Sequence, residues 1–283
     1  MKEQRHNYEY DFDPSSETAP ANVVRMVGKN KRVLEIGCGP GSITKVLAQQ
    51  EYCQITGLEL DLEAIKKVTP YCVQVMQADL NSRDWPNLVN DVEKFDVIVA
   101  ADVLEHLYDP WEALQRMVPL INANGYIVIS LPHVGHAAVM SCLINGDFEY
   151  RDWGLLDRTH IRFFGLKNIE ALFTQANLKI IEAKYITTLP EETEFAASWS
   201  KLSSSLQNTL MNCKDSEIYQ VVVKAVPINY IGDAISLVAP EHQYRRTLIA
   251  TNIVSWKTRL GLHLSPQLKK DIHKGLNLLK IKL

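Results

Sequence analysis

Apolar and polar positions along the chain follow two alternating rhythms. Short apolar runs fall at 33–36, 54–60, 71–77, 95–100, 126–131, 178–186 and 218–226. Runs of this length, rich in Val and Ile and bounded by Gly, Asn, Asp or Pro, predict strands. Between them lie stretches with helical spacing. Val23, Val24 and Val27 share one face of a helix over 21–29, and Ile43, Val46 and Leu47 one face of 42–50. Asp61 caps a helix carrying Ile65 and Val68, and Asp109-Pro110 opens another. A polar helix or loop runs through Trp85 and Pro86, and helical spacing returns at 167–176. Strands alternating with helices at this spacing mean βαβ units, hence an α/β fold with a mostly parallel sheet covered on both faces. The run at 218–226 supplies the seventh strand.

The rhythm breaks twice. Residues 133–165 hold His133, His136, Trp153, Asp157, Arg158 and His160 without a clear strand, and form an insert after strand five. Residues 190–212 predict an added polar helix. The domain organisation expected is a flap and helix at 1–30, a main domain at 31–227 and an appendage at 228–283. That appendage has nine Lys or Arg against three Asp or Glu, whereas the whole chain carries −3. Leu268, Ile272, Leu276, Leu279 and Leu283 recur there at helical spacing with lysines between them. A basic amphipathic helix of this kind docks on its own domain, on a second subunit in a homodimer, or on an anionic membrane. Trp256 fits each case, and membrane contact through 256–283 is the weakest expectation.

Composition narrows the class. Five cysteines, odd in number and without a C-x-x-C pair, predict reduced thiols, a cytoplasmic location and no zinc site. The charged, aromatic start (Tyr8, Tyr10 and Phe12 among acids) is neither signal peptide nor anchor, and no apolar run approaches a membrane span. A net negative charge gives no reason to expect nucleic acid as a partner.

The candidate chemistry centres on 32–42, Arg-Val-Leu-Glu-Ile-Gly-Cys-Gly-Pro-Gly-Ser. A strand, a turn bare of Cβ atoms and a helix N-terminus let backbone approach a ligand closely. Acids stand at the ends of successive strands: Glu59, Asp79, and Asp102 with Glu105. In open parallel sheets ligands bind outside those carboxyl ends. A dinucleotide fingerprint would need G-x-G-x-x-G/A, whereas this turn reads E-x-G-x-G-x-G. The segments V-L-E-I-G-C-G-P-G, G-L-E-L-D, Q-A-D-L and F-D-V-I-V-A-A-D-V-L-E-H-L-Y-D-P resemble the motifs of class I S-adenosylmethionine (SAM)-dependent methyltransferases. The resemblance implies a Rossmann-like fold and SAM as cofactor, with S-adenosylhomocysteine (SAH) as product. It implies that Glu35, Gly37, Gly39 and Gly41 shape the methionine side, with Cys38 inside the turn as a small space-filler. Glu59 with Leu60 would hold the ribose, Asp79 with Leu80 the adenine, and Ala101 with Asp102 the methionine end. Glu105 and His106 would face the acceptor. The segment that carries Tyr8 reads either as a loose tail or as a flap whose tyrosines close over the cofactor, with Tyr8 then at the substrate. The insert, L-P-H-V-G-H followed by G-L-L-D-R-T-H-I-R-F-F, is similar to a bacterial subgroup encoded among surface-polysaccharide genes, which implies a sugar or glycan acceptor, nucleotide- or lipid-linked.

Methyl transfer to a hydroxyl needs alignment and a base, and imidazole is the usual base near neutrality. His160 is the first candidate, with Asp157 orienting it; His133 is second, and His136 also faces the acceptor in this reading. Arg158 would clamp a phosphate or carboxylate, or pair with Glu149 or Asp152. No H-x-x-x-H-type spacing predicts a metal. The competing functions are methylation of a quinone precursor or phenol, a catalytically silent SAM-binding partner subunit, and an NAD(P) oxidoreductase. The glycine spacing and Asp79 speak against the last. Ala101-Asp102 stands where an RNA base methylase would have N-P-P-Y.

Overall fold

The computed structural model describes residues 8–90 and 92–240. Seven strands form one sheet: β1 (Arg32–Ile36), β2 (Gln54–Glu59), β3 (Gln74–Gln77), β4 (Phe95–Ala101), β5 (Ile121–Pro132), β6 (Leu178–Thr187) and β7 (Ile218–Pro227). Their order is β3-β2-β1-β4-β5-β7-β6, and β7 alone runs antiparallel to both neighbours. The helices are α1 (Ala19–Val27), α2 (Ser42–Gln49), α3 (Leu62–Val68), α4 (Pro110–Met117), α5 (Ala137–Ile144), α6 (Leu166–Gln175), α7 (Ala196–Ser200) and α8 (Ser204–Met211).

The central strands are apolar throughout because both faces are covered. Leu34, Ile36, Ile98, Ala100, Ile127 and Ile129 point to one core layer. Val33, Val97, Val99 and Val128 point to the other, which α1 and α2 close with Val23, Val27 and Leu47. Successive side chains alternate across the sheet, so one run feeds two cores. The helix starts follow the expected chemistry. The Asp61 carboxylate accepts from Glu63 N (2.7 Å) at α3, and Asp109 from Glu112 N (2.8 Å) at α4.

Four elements depart from expectation. β3 starts only at Gln74, because a 3-10 turn over Thr69–Tyr71 with Pro70 takes up the preceding chain. Residues 122–125, ahead of the apolar run at 126–131, already lie within β5 as an irregularity in its register on β4. The insert contains α5, which packs Ala137, Ala138, Val139 and Cys142 inside. An apolar run without helical periodicity gives no signal that separates helix from strand. Residues 190–212 carry two short helices, α7 and α8, rather than one. Of the appendage, 228–240 holds no helix, and Leu237 is buried in the main core. The spacing at 268–283 and Trp256 lie outside the described residues. Among the described residues no helix is long and apolar enough to cross a membrane.

Candidate active site

A cleft of about 1430 Å³ opens outside the carboxyl ends of the parallel strands. It straddles β1 and β4, where the strand order reverses, the usual ligand position in doubly wound sheets. Every residue expected at the cofactor lines it except Gly41. Gly37 N and Cys38 N both donate to Leu58 O, at 2.8 and 3.2 Å, which ties the glycine turn to β2. Gly37 has φ +65°, and a Cβ there would stand 2.8 Å from Val103 Cγ2. Gly41, φ +97°, is in the same position against Val68 Cγ2. Gly41 therefore shapes the turn from behind. A Cβ on Gly39 would meet nothing within 4 Å, so the turn presents bare backbone to open space. The Cys38 thiol packs down on Gly57 of β2, and burial pushes its pKa up, consistent with a space-filler and not a nucleophile.

The acids are fixed by donors from neighbouring elements. Glu59 accepts from Gly39 N (2.7 Å), Leu60 N (2.7 Å) and Asp61 N (2.9 Å), which holds its carboxylate between the turn and α3. Glu35 is buried in β1 and takes a hydrogen bond from Thr44 Oγ1 (2.7 Å); burial raises its pKa to about 7. Asp79 Oδ1 caps its own turn at Asn81 N (2.9 Å). Asp102 adopts φ +53°, a left-handed conformation that Asp tolerates better than most residues. Ser130 Oγ and Gln220 Nε2 hold its carboxylate at 2.8 and 2.9 Å, while burial pushes its pKa up.

The segment before α1 crosses this cleft. Tyr10 N donates to Ser42 Oγ (3.0 Å), Lys67 pairs with Glu9, and Lys45 Nζ lies 3.6 Å from Asp11. Tyr8, Tyr10 and Phe12 then line the cleft.

At the acceptor end the insert and the β4 loop meet. Glu105 is wholly buried, and its carboxylate oxygens have no hydrogen-bond partner. Burial, and next Asp102, push its pKa well up. His160 Nδ1 lies 3.3 Å from Leu155 O, and its Nε2 lies 3.9 Å from Glu105 Oε1. Burial, then His106, lower the His160 pKa to about 4. Asp157 does not orient this ring as expected, since a backbone carbonyl holds Nδ1. Asp157 Oδ1 instead accepts from Thr159 N (2.8 Å) and Thr159 Oγ1 (2.7 Å), and Thr159 Oγ1 lies 3.0 Å from His106 Nδ1. The His106 and His160 rings meet edge to face at 4.7 Å.

Three expected site residues stand elsewhere. His136 is buried at the start of α5, where Nδ1 accepts from Ala138 N (3.1 Å) and Nε2 lies 2.9 Å from Thr188 O; it is a helix cap. His133 is buried against Gly135, behind the cleft wall. Both lie outside the lining. Arg158 pairs with Asp152 (3.0 Å) away from the lining. Conversely, Thr159, Glu194, Tyr219 and Gln220 line the cleft without having been expected there. Tyr219 and Gln220 open β7, whose antiparallel course sets Gln220 opposite Pro132 at the carboxyl end of β5. That placement is invisible until the strand's direction is known. Tyr219 OH donates to Glu194, whose Oε1 also accepts from Leu155 N (2.8 Å).

Comparison with known proteins agrees with this geometry. A family model described as a methyltransferase domain matches residues 6–183. Curated relatives include ubiquinone biosynthesis O-methyltransferases of Coxiella burnetii and Paracidovorax citrulli. The first is 23% identical over 60% of this chain and 73% of its own. The second is 22% identical over 74% and 89%. Among solved structures, the YcgJ protein of Bacillus subtilis superposes with a TM-score of 0.51 at 13% identity, covering 75% of this chain and 98% of its own. Magnesium protoporphyrin IX methyltransferase of Synechocystis, solved with bound SAH, gives 0.50 at 15%, covering 74% and 81%. With more than half of its length matched by the family model, the chain belongs to the methyltransferase-domain family and is a SAM-dependent methyltransferase.

Proposed function

We propose that the chain methylates a hydroxyl oxygen of a small acceptor that carries no phosphate. The observation that supports this is the acidity of the cleft: among the described residues eleven Asp or Glu line it, three of them (Glu35, Asp102 and Glu105) with pKa values raised by burial, against Lys67, which is paired with Glu9. Low-dielectric walls of one sign focus the field and disfavour an anionic ligand. This speaks against the nucleotide- or lipid-diphosphate-linked acceptor expected from the insert.

The residues fit the cofactor. The bare Gly39 backbone offers close approach, Glu59 stands where two ribose hydroxyls would bond, and Asp79 with Leu80 where adenine would lie. The acids Glu35 and Asp102 face the methionine end. When bound, SAM supplies a methyl group activated by a positively charged sulfonium. The chain's share is to hold the acceptor oxygen in line with that methyl, exclude water and remove the hydroxyl proton. Tyr8 and Tyr10 close the opening. His160 and His106 present imidazoles at the acceptor end, and a His160 pKa near 4 keeps that ring neutral at pH 7.

Two acceptor classes have separate support. The polar wall of Thr188, Glu192, Thr193, Glu194 and Gln220 beside Trp153 suits a neutral sugar, hydrogen-bonded at its hydroxyls and stacked on the indole. The curated relatives, named for ubiquinone biosynthesis, support a phenolic acceptor. Transfer of radiolabelled methyl to methyl glycosides, catechols and nucleoside-diphosphate sugars tests the reading. Turnover is expected with a neutral acceptor; turnover confined to the phosphorylated ones would sink it.

A further inference from the structure

Glu105, His106 and His160 converge so that one ligating atom from each lies within 4.8 Å of the others. Their partners fix what those atoms are. Leu155 O can only accept, so His160 Nδ1 carries the proton and Nε2 the lone pair. Thr159 Oγ1 gives its hydrogen to Asp157 and therefore accepts, together with Thr159 O at 3.2 Å, from His106 Nδ1. His106 thus also carries its lone pair on Nε2. The third member is a wholly buried carboxylate with neither oxygen hydrogen-bonded. Three groups able to ligate thus meet in a low-dielectric site, and the two oxygens of Glu105 are the atoms left without a hydrogen-bond partner.

A buried carboxyl group with both oxygens unpaired is costly, and a bound cation removes that cost. The 3.9 Å between Glu105 Oε1 and His160 Nε2 is too long for a hydrogen bond. It is short enough for both atoms to ligate one ion at about 2.0–2.2 Å each. Both imidazoles already have the orientation that metal-ligating histidines take from an outer hydrogen bond, here to Leu155 O and to Thr159.

We infer that Glu105, His106 and His160 form a binding site for one divalent first-row cation of the zinc type at the acceptor end of the cleft. Two histidines and one carboxylate leave further coordination positions open. The inference deepens the O-methylation reading: an acceptor hydroxyl on such an ion would have a lowered pKa, so that a weak base suffices to take its proton. No local spacing signals this metal site, because His160 lies 54 positions after His106 and only the insert's fold joins them.

The test is titration of metal-stripped, full-length protein with Co²⁺, read by visible absorption, and with Zn²⁺, read by bound metal after dialysis. SAH binding is followed in the same samples. One ion per chain is expected, with the d–d spectrum of a low-coordinate Co²⁺ site. Affinity should fall at least tenfold in His160→Ala and in Glu105→Gln, while SAH affinity stays within a few-fold. Protein that binds SAH but takes up neither ion, or variants that both bind as the wild type does, would overturn the site. Neither outcome depends on the acceptor, so a wrong acceptor class is recognised separately by its own methyl-transfer panel.

Discussion

At Gly37 the positive φ and the Val103 contact act together on one methyl group. Gly37→Ala should cost ~2–4 kcal/mol in denaturant unfolding and abolish SAH binding measured by calorimetry. Glu59 is held by three backbone N–H groups at the mouth of the cleft. Glu59→Ala should weaken SAH at least tenfold while circular dichroism stays unchanged; an unaltered affinity would remove Glu59 from the ribose. Glu35 shows a linkage effect of definite sign. Burial raises its folded pKa from 4.5 to about 7, so its contribution is favourable below pH 4.5 and is lost as pH rises to 7. Glu35→Gln keeps an acceptor for Thr44 and removes the ionisation. Its stability advantage over wild type should grow across that window, to as much as about 3 kcal/mol at pH 8.

Elements show the opposite pH sign at α5. His136 caps that helix while buried, and its folded pKa falls to about 4, principally by desolvation. Between pH 6.5 and 4 the unfolded chain binds the proton and the folded chain resists it. This group's effect therefore destabilises the fold as pH falls, by up to about 3 kcal/mol. His136→Asn should lose stability at pH 7 with the helix cap and the Thr188 contact, yet show a flatter decline on acidification. Urea midpoints at pH 7 and 5 separate the two effects. The segment before α1 offers a prediction about binding. Tyr10 lines the cleft while its backbone is tied to Ser42 of α2. Tyr10→Ala should weaken SAH several-fold and leave the thermal midpoint of the ligand-free protein within 1–2 °C, as expected of a surface change of ~0.5 kcal/mol.

For the whole molecule, SAH at one hundred times its dissociation constant should add ~2.7 kcal/mol and raise the melting temperature by about 5–10 °C. NADH should add nothing. The βαβ rhythm, all seven strands and the glycine turn and strand-end acids that line the cleft were legible in the chain, because each is written locally. An apolar run with flanking turn residues makes a buried strand, and strand-to-helix turns put acids beside the ligand. Glycines at 37 and 41 mark places where backbone conformation and packing admit no Cβ. The acceptor side was legible only as a collection of polar residues. His133, His136 and His160 look alike in sequence, yet the fold buries the first two outside the cleft lining and leaves the third in it. Gln220 reaches Asp102 across 118 positions because β7 reverses direction. Fold class and cofactor were thus determined by short-range pattern, which chain connectivity preserves. Only the tertiary structure could decide which histidines face the acceptor, what holds Asp102 and which lone pairs converge on Glu105, because those depend on distances between segments that no local spacing encodes.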